Sequence, residues 1–420
     1  MSTLLLDLND LALRWRPNDE IVDTPAWALI GEPPLIGRSA LSEARLQPRR
    51  INNQFWHHLD TNPIAGAAGV VRHHADLAFL QLKDIHLAAK ADAYVISVPA
   101  HYERAQLSLL LGLAAATSMR IKAVADPGIL LANSVDSEAP ALLYLDASLH
   151  DVSLTVISNG QQWQRQQSVT ANTKGLLSVI DRLANQIAKQ LIQTERFDPL
   201  HLAATEQQLF EQLFEHLESQ NLGTSSTIQL IHEDRRYEHT LTEAALRNAT
   251  VDMVPDIIKC IQTNTASTAE LLVSHRAALL PGLLEAMALI PSVQVTRLTD
   301  RALFEAFDQA LPTLLESQDF NQLIYQLPKT QRPSNRPASD TESPTITHVL
   351  FNGRAIPIAD YRAMPSVALV LEFVASGDWI LKPGSEPLTL NQQALTQQRT
   401  LSIGDRVTLG AQTFEFIQVL

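Results

Sequence analysis

Glycine is scarce in this chain: 15 of 420 residues, about half the usual share of about 7%. Loops that wrap phosphate groups rely on glycine, because a bare Cα lets backbone N–H groups come close to the anion. So low a count leaves few places to build one. Basic residues are also in deficit, 32 against 45 acids, for a net charge of -13. That balance excludes a broad nucleic-acid surface, which needs clustered Lys and Arg to neutralise phosphates. Cys260 is the single cysteine, which excludes an intrachain disulfide and a thiolate metal cluster. Apolar runs such as "LSLLLGLAAA" stop well short of the ~20 residues that cross a bilayer. The N-terminus carries neither the basic region nor the small-residue cleavage site of a signal peptide. A cytoplasmic protein without membrane insertion is expected.

What is present falls into three parts. "PKTQRPSNRPASDTESPT", residues 328–345, is dominated by proline, serine and charge, and reads as a disordered or extended linker. Before it, residues 1–327 alternate short apolar runs with amphipathic segments: "STLLLDLN", "DAYVISVPA", "RIKAVADP", "ALLYLDAS", "DVSLTVIS" and "AELLVSH" predict strands. "GLLSVIDRLANQIAKQLI" predicts a helix with Leu176, Ile180, Leu183, Ile187 and Leu191 on one face, N-capped at Asn172 or Thr173. "ERAQLSLLLGLAAAT" is apolar nearly all round, which predicts a helix buried between layers. The pattern is α/β. After the linker, residues 346–420 show only strand patterns separated by Asn-Gly, Gly-Asp and Pro-Gly turns, and predict a small all-β sandwich.

The stretch Ala91 to Ser134 sharpens the reading of the body. Its strand ending in Val98-Pro99-Ala100, the helix with Gln106, Arg120 before the next strand and Pro127 after it resemble the nucleotide-binding domain of the seventy-kilodalton heat-shock chaperones. "LLLDLND" is similar to that family's first phosphate loop, "LLYLDASLHDVSLTVI" to its second, and "AELLVSHRAALLPGLLEAM" to its adenosine strand and loop. The resemblance covers about residues 1–325. It implies a two-lobed actin-like (ribonuclease H-like) fold, with Asp7, Asp126 and Asp146 in the places of residues that organise magnesium and water.

The departures from the family fall on its chemistry. Asn9 replaces the first-loop glycine, and Asp10 the hydroxyl residue, where a carboxylate repels phosphate. The second loop is two residues shorter than the family pattern, with Ala147, Ser148 and Leu149 in place of glycines. Ser274 and His275 replace the Gly-Gly of the adenosine loop, Asp126 stands for a glutamate, and the family's lysine is missing near Trp56, His57 and His58. Phosphoryl transfer is catalysed mostly by positioning and electrostatics, and here both cradle and cation are expected to be gone.

"LSIGDRVTLG", Leu401 to Gly410, resembles the closing segment of a forkhead-associated domain, with Gly353-Arg354, Ser366, Trp379 and Asn391 in order before it. The resemblance implies phosphothreonine binding at Arg354 and Ser366. Leu369 replaces the family's histidine, and "PGSEPLTL" carries no counterpart of its Asn-Gly-Thr, so binding without phosphopeptide specificity is expected.

Together these readings predict a pseudo-ATPase that works as a protein-binding or scaffold module, meeting other proteins through the body and the sandwich, with no cofactor. The alternative is an ATP-binding or weakly hydrolysing protein that uses ATP and Mg2+. No metal site is expected. The pairs His57-His58 and His73-His74 point in different directions along a helix, with no acidic partner spaced to complete a shell.

Overall fold

The computed structural model describes residues 2–218, 226–265, 268–316, 323–329 and, with interruptions, 346–417. The chain divides into two compact units, Met1–Thr330 and Gln331–Leu420. Nearly all of the expected linker, and Ser366, lie outside the described residues.

The first unit holds two six-stranded sheets. One contains β1 (Thr3–Asp7), β2 (Ala12–Trp15), β3 (Val22–Pro25), β4 (Ala93–Ser97) and β5 (Ile121–Ala125). The other contains β6 (Ala141–Ala147), β7 (Val152–Asn159), β8 (Gln162–Thr170), β9 (Ala269–Val273) and β10 (Val293–Arg297). Two short strands follow: β11 (Leu323–Ile324) completes the first sheet and β12 (Gln326–Pro328) the second. The spatial orders are β3-β2-β1-β4-β5-β11 and β12-β8-β7-β6-β9-β10. In each sheet a three-strand antiparallel meander leads, its first strand pairs in parallel with the fourth, and the fourth pairs in parallel with the fifth. The sheets are therefore built to one plan, and β1 and β6 are equivalent strands.

Burial follows from this plan. Inner strands of the parallel part are covered on both faces, so they read as unbroken apolar runs, and all five residues of β4 are buried. Strands of the second meander keep a wetter face, as the mixed burial along β8 shows. One cluster of buried residues draws from both sheets at once, Leu5, Val95 and Ala125 with Leu142, Tyr144 and Leu272. The short helix Pro127–Ala132, all of it buried, and the helix Ala302–Glu316 fill this middle layer. The helix Arg104–Ala116 does not. Only its Leu110 and Ala114 are buried, so the expected inner-layer helix lies on the flank of the first sheet, its surplus leucines half-exposed. Leu176–Glu195 forms the expected helix, with Leu176, Ile180, Leu183, Ile187 and Leu191 buried. It starts at Gly175, later than Asn172 or Thr173, because the loop before β7 reaches over and supplies acceptors for its first N–H groups.

The second unit is antiparallel throughout its described pairings. The strands His348–Phe351, Arg354–Pro357, Leu388–Leu390, Gln393–Ala394, Arg406–Leu409 and Gln412–Ile417 form one sheet, and Val370–Phe373, Trp379–Lys382 and Arg399–Thr400 the other. Val349, Phe414 and Phe416 of the first sheet share one core with Leu371 and Leu381 of the second. No helix among the described residues is long and apolar enough to cross a membrane.

Candidate functional site

The equivalent strands β1 and β6 end facing one another, and each carries a carboxylate there, Asp7 and Asp146. Between them lies the guanidinium of Arg276, from the turn after β9. Its Nη1 donates to Asp7 Oδ2 at 2.7 Å, its Nε to Asp146 Oδ1 at 3.0 Å and its Nη2 to Asp146 Oδ2 at 2.8 Å. Ser97 Oγ, from β4, donates to the other Asp7 oxygen at 3.0 Å. Arg276 and Asp7 are buried. Burial alone lowers the affinity of Arg276 for its proton, but Asp146 and Asp7 together outweigh it and hold the guanidinium well above its ordinary value. The resemblance implied that the two aspartates organise magnesium and water. Instead they hold a cation that belongs to the chain. The expectation that the site had lost its positive charge is corrected accordingly: the family's lysine is missing, and Arg276 supplies a charge from another loop.

The second loop is closed on itself. Ser148 N–H donates to Asp151 O, Leu149 N–H to Asp10 Oδ1 at 2.6 Å, and both His150 N–H and Asp151 N–H to Ser148 Oγ. Every N–H from 148 to 151, the set a phosphate would need, is thus taken. The start of the following helix is taken as well. Gly175, Leu176 and Leu177 donate to the carbonyls of His150, Ser148 and Leu149, so its positive end faces protein and not an anion. Gly175 permits this contact, because a Cβ there would stand 2.5–2.6 Å from Ser148 O, Asp151 N and His150 N.

Asp10 therefore has a structural contact besides the phosphate repulsion expected of it. Its carboxylate sits as an acceptor on the second loop. Burial pushes its pKa up, but the His57 side chain, the charge of His150 and the Leu149 N–H together bring it below the ordinary value. Its second oxygen and His57 Nδ1 make no hydrogen bond and face each other at 3.4 Å, an ion-pair contact. Asn9 folds onto its own loop, accepting from Leu11 N–H at 2.9 Å and reaching Ala147 O and Asp146 Oδ2 at 3.3 and 3.4 Å.

The other expected positions are occupied by structural contacts. Asp126 caps the helix Pro127–Ala132 through Ile129 N–H and pairs with Arg165 of β8 at 2.9 Å, joining the two sheets. Ser274 Oγ accepts from Ala277 N–H, a turn-forming contact. His275, kept neutral by burial and by the charges of Arg276 and Arg14, accepts from Arg14 Nη1 at 2.8 Å. The space left among Asp7, Asn9, Asp10, Asp146, Ala147 and Arg276 is about 20 Å3, room for about one water molecule. Mg2+ does not fit these residues, since the guanidinium already stands between the two carboxylates that would ligate it.

In the second unit, Asn391 has φ 50° and binds Asp405 Oδ1 at 2.7 Å and Arg406 N–H at 2.9 Å, a cross-turn brace. Leu369 is buried in the core. Arg354 opens its strand, while its side chain lies outside the described residues, as does Ser366.

Sequence reading missed Arg276 and Arg165 as site residues. The first could have been suspected as an arginine directly following the buried run "AELLVSH"; nothing in the local sequence marks the second. No protein-family model matches the chain, and no curated protein matches it in sequence.

Proposed function

We propose that the first unit is an actin-like, two-lobed domain derived from the heat-shock chaperone type that has become a pseudo-ATPase, and that the chain acts as a protein-binding or scaffold module. The two sheets of one plan, with paired aspartates on equivalent strands, support the fold assignment. The observation that carries the functional reading is Arg276 held between Asp7 and Asp146. The chain supplies its own cation where a metal would stand and its own carboxylate, Asp10, on the loop where a phosphate would rest. The cleft is thereby tied in one state, with no ligand needed to set the lobe angle. Beside it a groove of about 1040 Å3, bordered by Tyr102, Arg104, Leu107, Arg165, Leu323 and Tyr325, remains open to a partner. The second unit, read as a forkhead-associated-like sandwich, adds a further binding surface without phosphopeptide specificity.

Thermal melting with millimolar ATP or ADP and magnesium tests the central point. The melting temperature is expected to stay unchanged. A nucleotide at one hundred times its Kd would add about 2.7 kcal/mol, so a clear rise would overturn the reading.

A further inference from the structure

Three segments distant in sequence bring a set of metal-binding side chains together at the rim of the closed cleft. His57 comes from the segment after β3, His101 from the turn after β4, and Asp151 from the second loop, in the opposite lobe. One donor atom from each lies within 4.8 Å of the other two. His57 and His101 have ring centroids 5.0 Å apart, and His101 Nδ1 stands 3.7 Å from Asp151 Oδ2. A tetrahedral zinc ion with bonds of about 2.0–2.1 Å separates its donors by about 3.4 Å. Closing the set around an ion therefore asks for side-chain shifts of about 1 Å.

The outer contacts favour this use. Metal-bound histidines place their second nitrogen on a carboxylate or a carbonyl, which fixes the tautomer and aims the free lone pair. Both histidines are arranged in that way. His101 Nε2 contacts the backbone oxygen of His57 at 3.2 Å, leaving Nδ1 bare toward Asp151. His57 Nδ1 faces the buried Asp10 carboxylate at 3.4 Å. Asp151 is held through its other oxygen by Ser148 Oγ at 2.8 Å, leaving Oδ2. A third imidazole, His150, stands 5.3 Å from His57 by ring centroids, but its Nε2 is engaged with Asn53 O at 3.0 Å.

We propose that His57, His101 and Asp151 form a binding site for a divalent transition-metal ion of the zinc class, with its fourth position open to water or to a partner's side chain. Imidazole with one carboxylate is a donor set for such ions rather than for magnesium. The site joins the lobes, since Asp151 belongs to one and both histidines to the other. It does not depend on the pseudo-ATPase reading, because none of the three ligands takes part in the Asp7–Arg276–Asp146 contact.

The test uses the full chain without an affinity tag. Titration with Co2+ reads the d–d absorption of a tetrahedral site, and competition with Zn2+ gives the affinity. One equivalent per chain with tetrahedral bands is expected, together with at least a tenfold loss of affinity in His101→Ala and in Asp151→Asn, and no loss in His232→Ala. Far-UV circular dichroism checks that each variant is folded, and Asp151→Asn, nearly isosteric, carries the test if His101→Ala is not. Absence of saturable binding, binding unaffected by Asp151→Asn, or an equal loss in His232→Ala would each overturn the proposal. A nucleotide-induced rise in melting temperature, by contrast, would leave it untouched.

Discussion

Arg276 Nη1 and Asp7 Oδ2 meet at 2.7 Å across 269 residues of chain, both of them buried. Asp7 ends the first strand of one sheet and Arg276 follows a strand of the other, so this contact is a tie between the two sheets. With Asp146 on the far side of the guanidinium, the three charged groups satisfy one another.

Removing the middle member should be costly. Arg276→Ala leaves the buried Asp7 and the part-buried Asp146 facing each other without their countercharge, and breaking a buried pair from one side typically costs about 3–5 kcal/mol. Urea denaturation is expected to show a loss of that order. Changing both aspartates to Asn in an Arg276→Met background should recover much of it, since the unpaired charges then disappear. If Arg276→Ala unfolds with the wild-type midpoint, the tie is not a structural element.

The closed second loop leads to a different variant. In Gly175→Ala, the new Cβ would meet backbone atoms of Ser148, His150 and Asp151 at 2.5–2.6 Å, contacts no side-chain rotation can relieve. Overpacking of this kind costs about 1–3 kcal/mol. Hydrogen exchange should show faster opening at 148–151 and at the start of the helix Leu176–Glu195, with the rest of that helix unchanged. Uniform protection in the variant would mean that the loop and helix do not depend on the glycine.

These contacts mark where the sequence could be read and where it could not. The strands β1, β4 and β6 were legible because parallel strands covered on both faces must be apolar along their length. The helix Leu176–Glu195 was legible through its i, i+3, i+4 leucines and isoleucines. Asn9, Ala147 and Ser148 were legible as standing where the resembled family has glycine, and Asp10 where it has a hydroxyl residue. What they do instead was not, because Asp10 acts through a loop 139 residues away, and composition says nothing of which distant N–H it will meet. The surroundings of the histidines were hidden for the same reason. Read as neighbours, His57-His58 and His73-His74 point apart, whereas the fold pairs His57 with His101 and Asp151 from other loops. Within the pair at 73–74, His74 Nδ1 instead contacts Asp60 Oδ1 at 3.0 Å.

A buried polar contact near the histidines can be tested by deletion. Gln81, 1% exposed, accepts from Trp56 Nε1 at 2.7 Å and donates to Pro25 O at 2.9 Å. It thereby anchors the segment that carries His57. Gln81→Leu keeps the volume but orphans the indole N–H and a carbonyl, and an unpaired buried group costs about 1–3 kcal/mol. Chemical denaturation should show a loss in that range, and Trp56→Phe added to it should soften the loss by removing one orphan. Additive effects of the two changes would mean that the hydrogen bond contributes nothing of its own.

Glu218, at the end of the helix Ala203–Glu218, sets the expected pH dependence. Burial raises its pKa to about 7, with Asp23 and Glu215 adding to the rise and Arg38, 3.9 Å away, opposing it. The folded state therefore holds this proton more tightly than the unfolded chain, whose glutamate titrates near 4.5. Between those two values the native protein binds more protons than the unfolded one, so this residue's share of stability falls as pH rises from about 4.5 to about 7 and is level above. The side chain keeps 31% of its exposure, and solvent screening reduces the effect to about 1 kcal/mol. Glu218→Gln carries no such charge, so its stability advantage over the wild type should be small at pH 5 and grow to that size by pH 8. Melting curves of the two proteins across this window decide the matter: a difference that stays constant or shrinks with pH would show that Glu218 is ionised in the native state throughout.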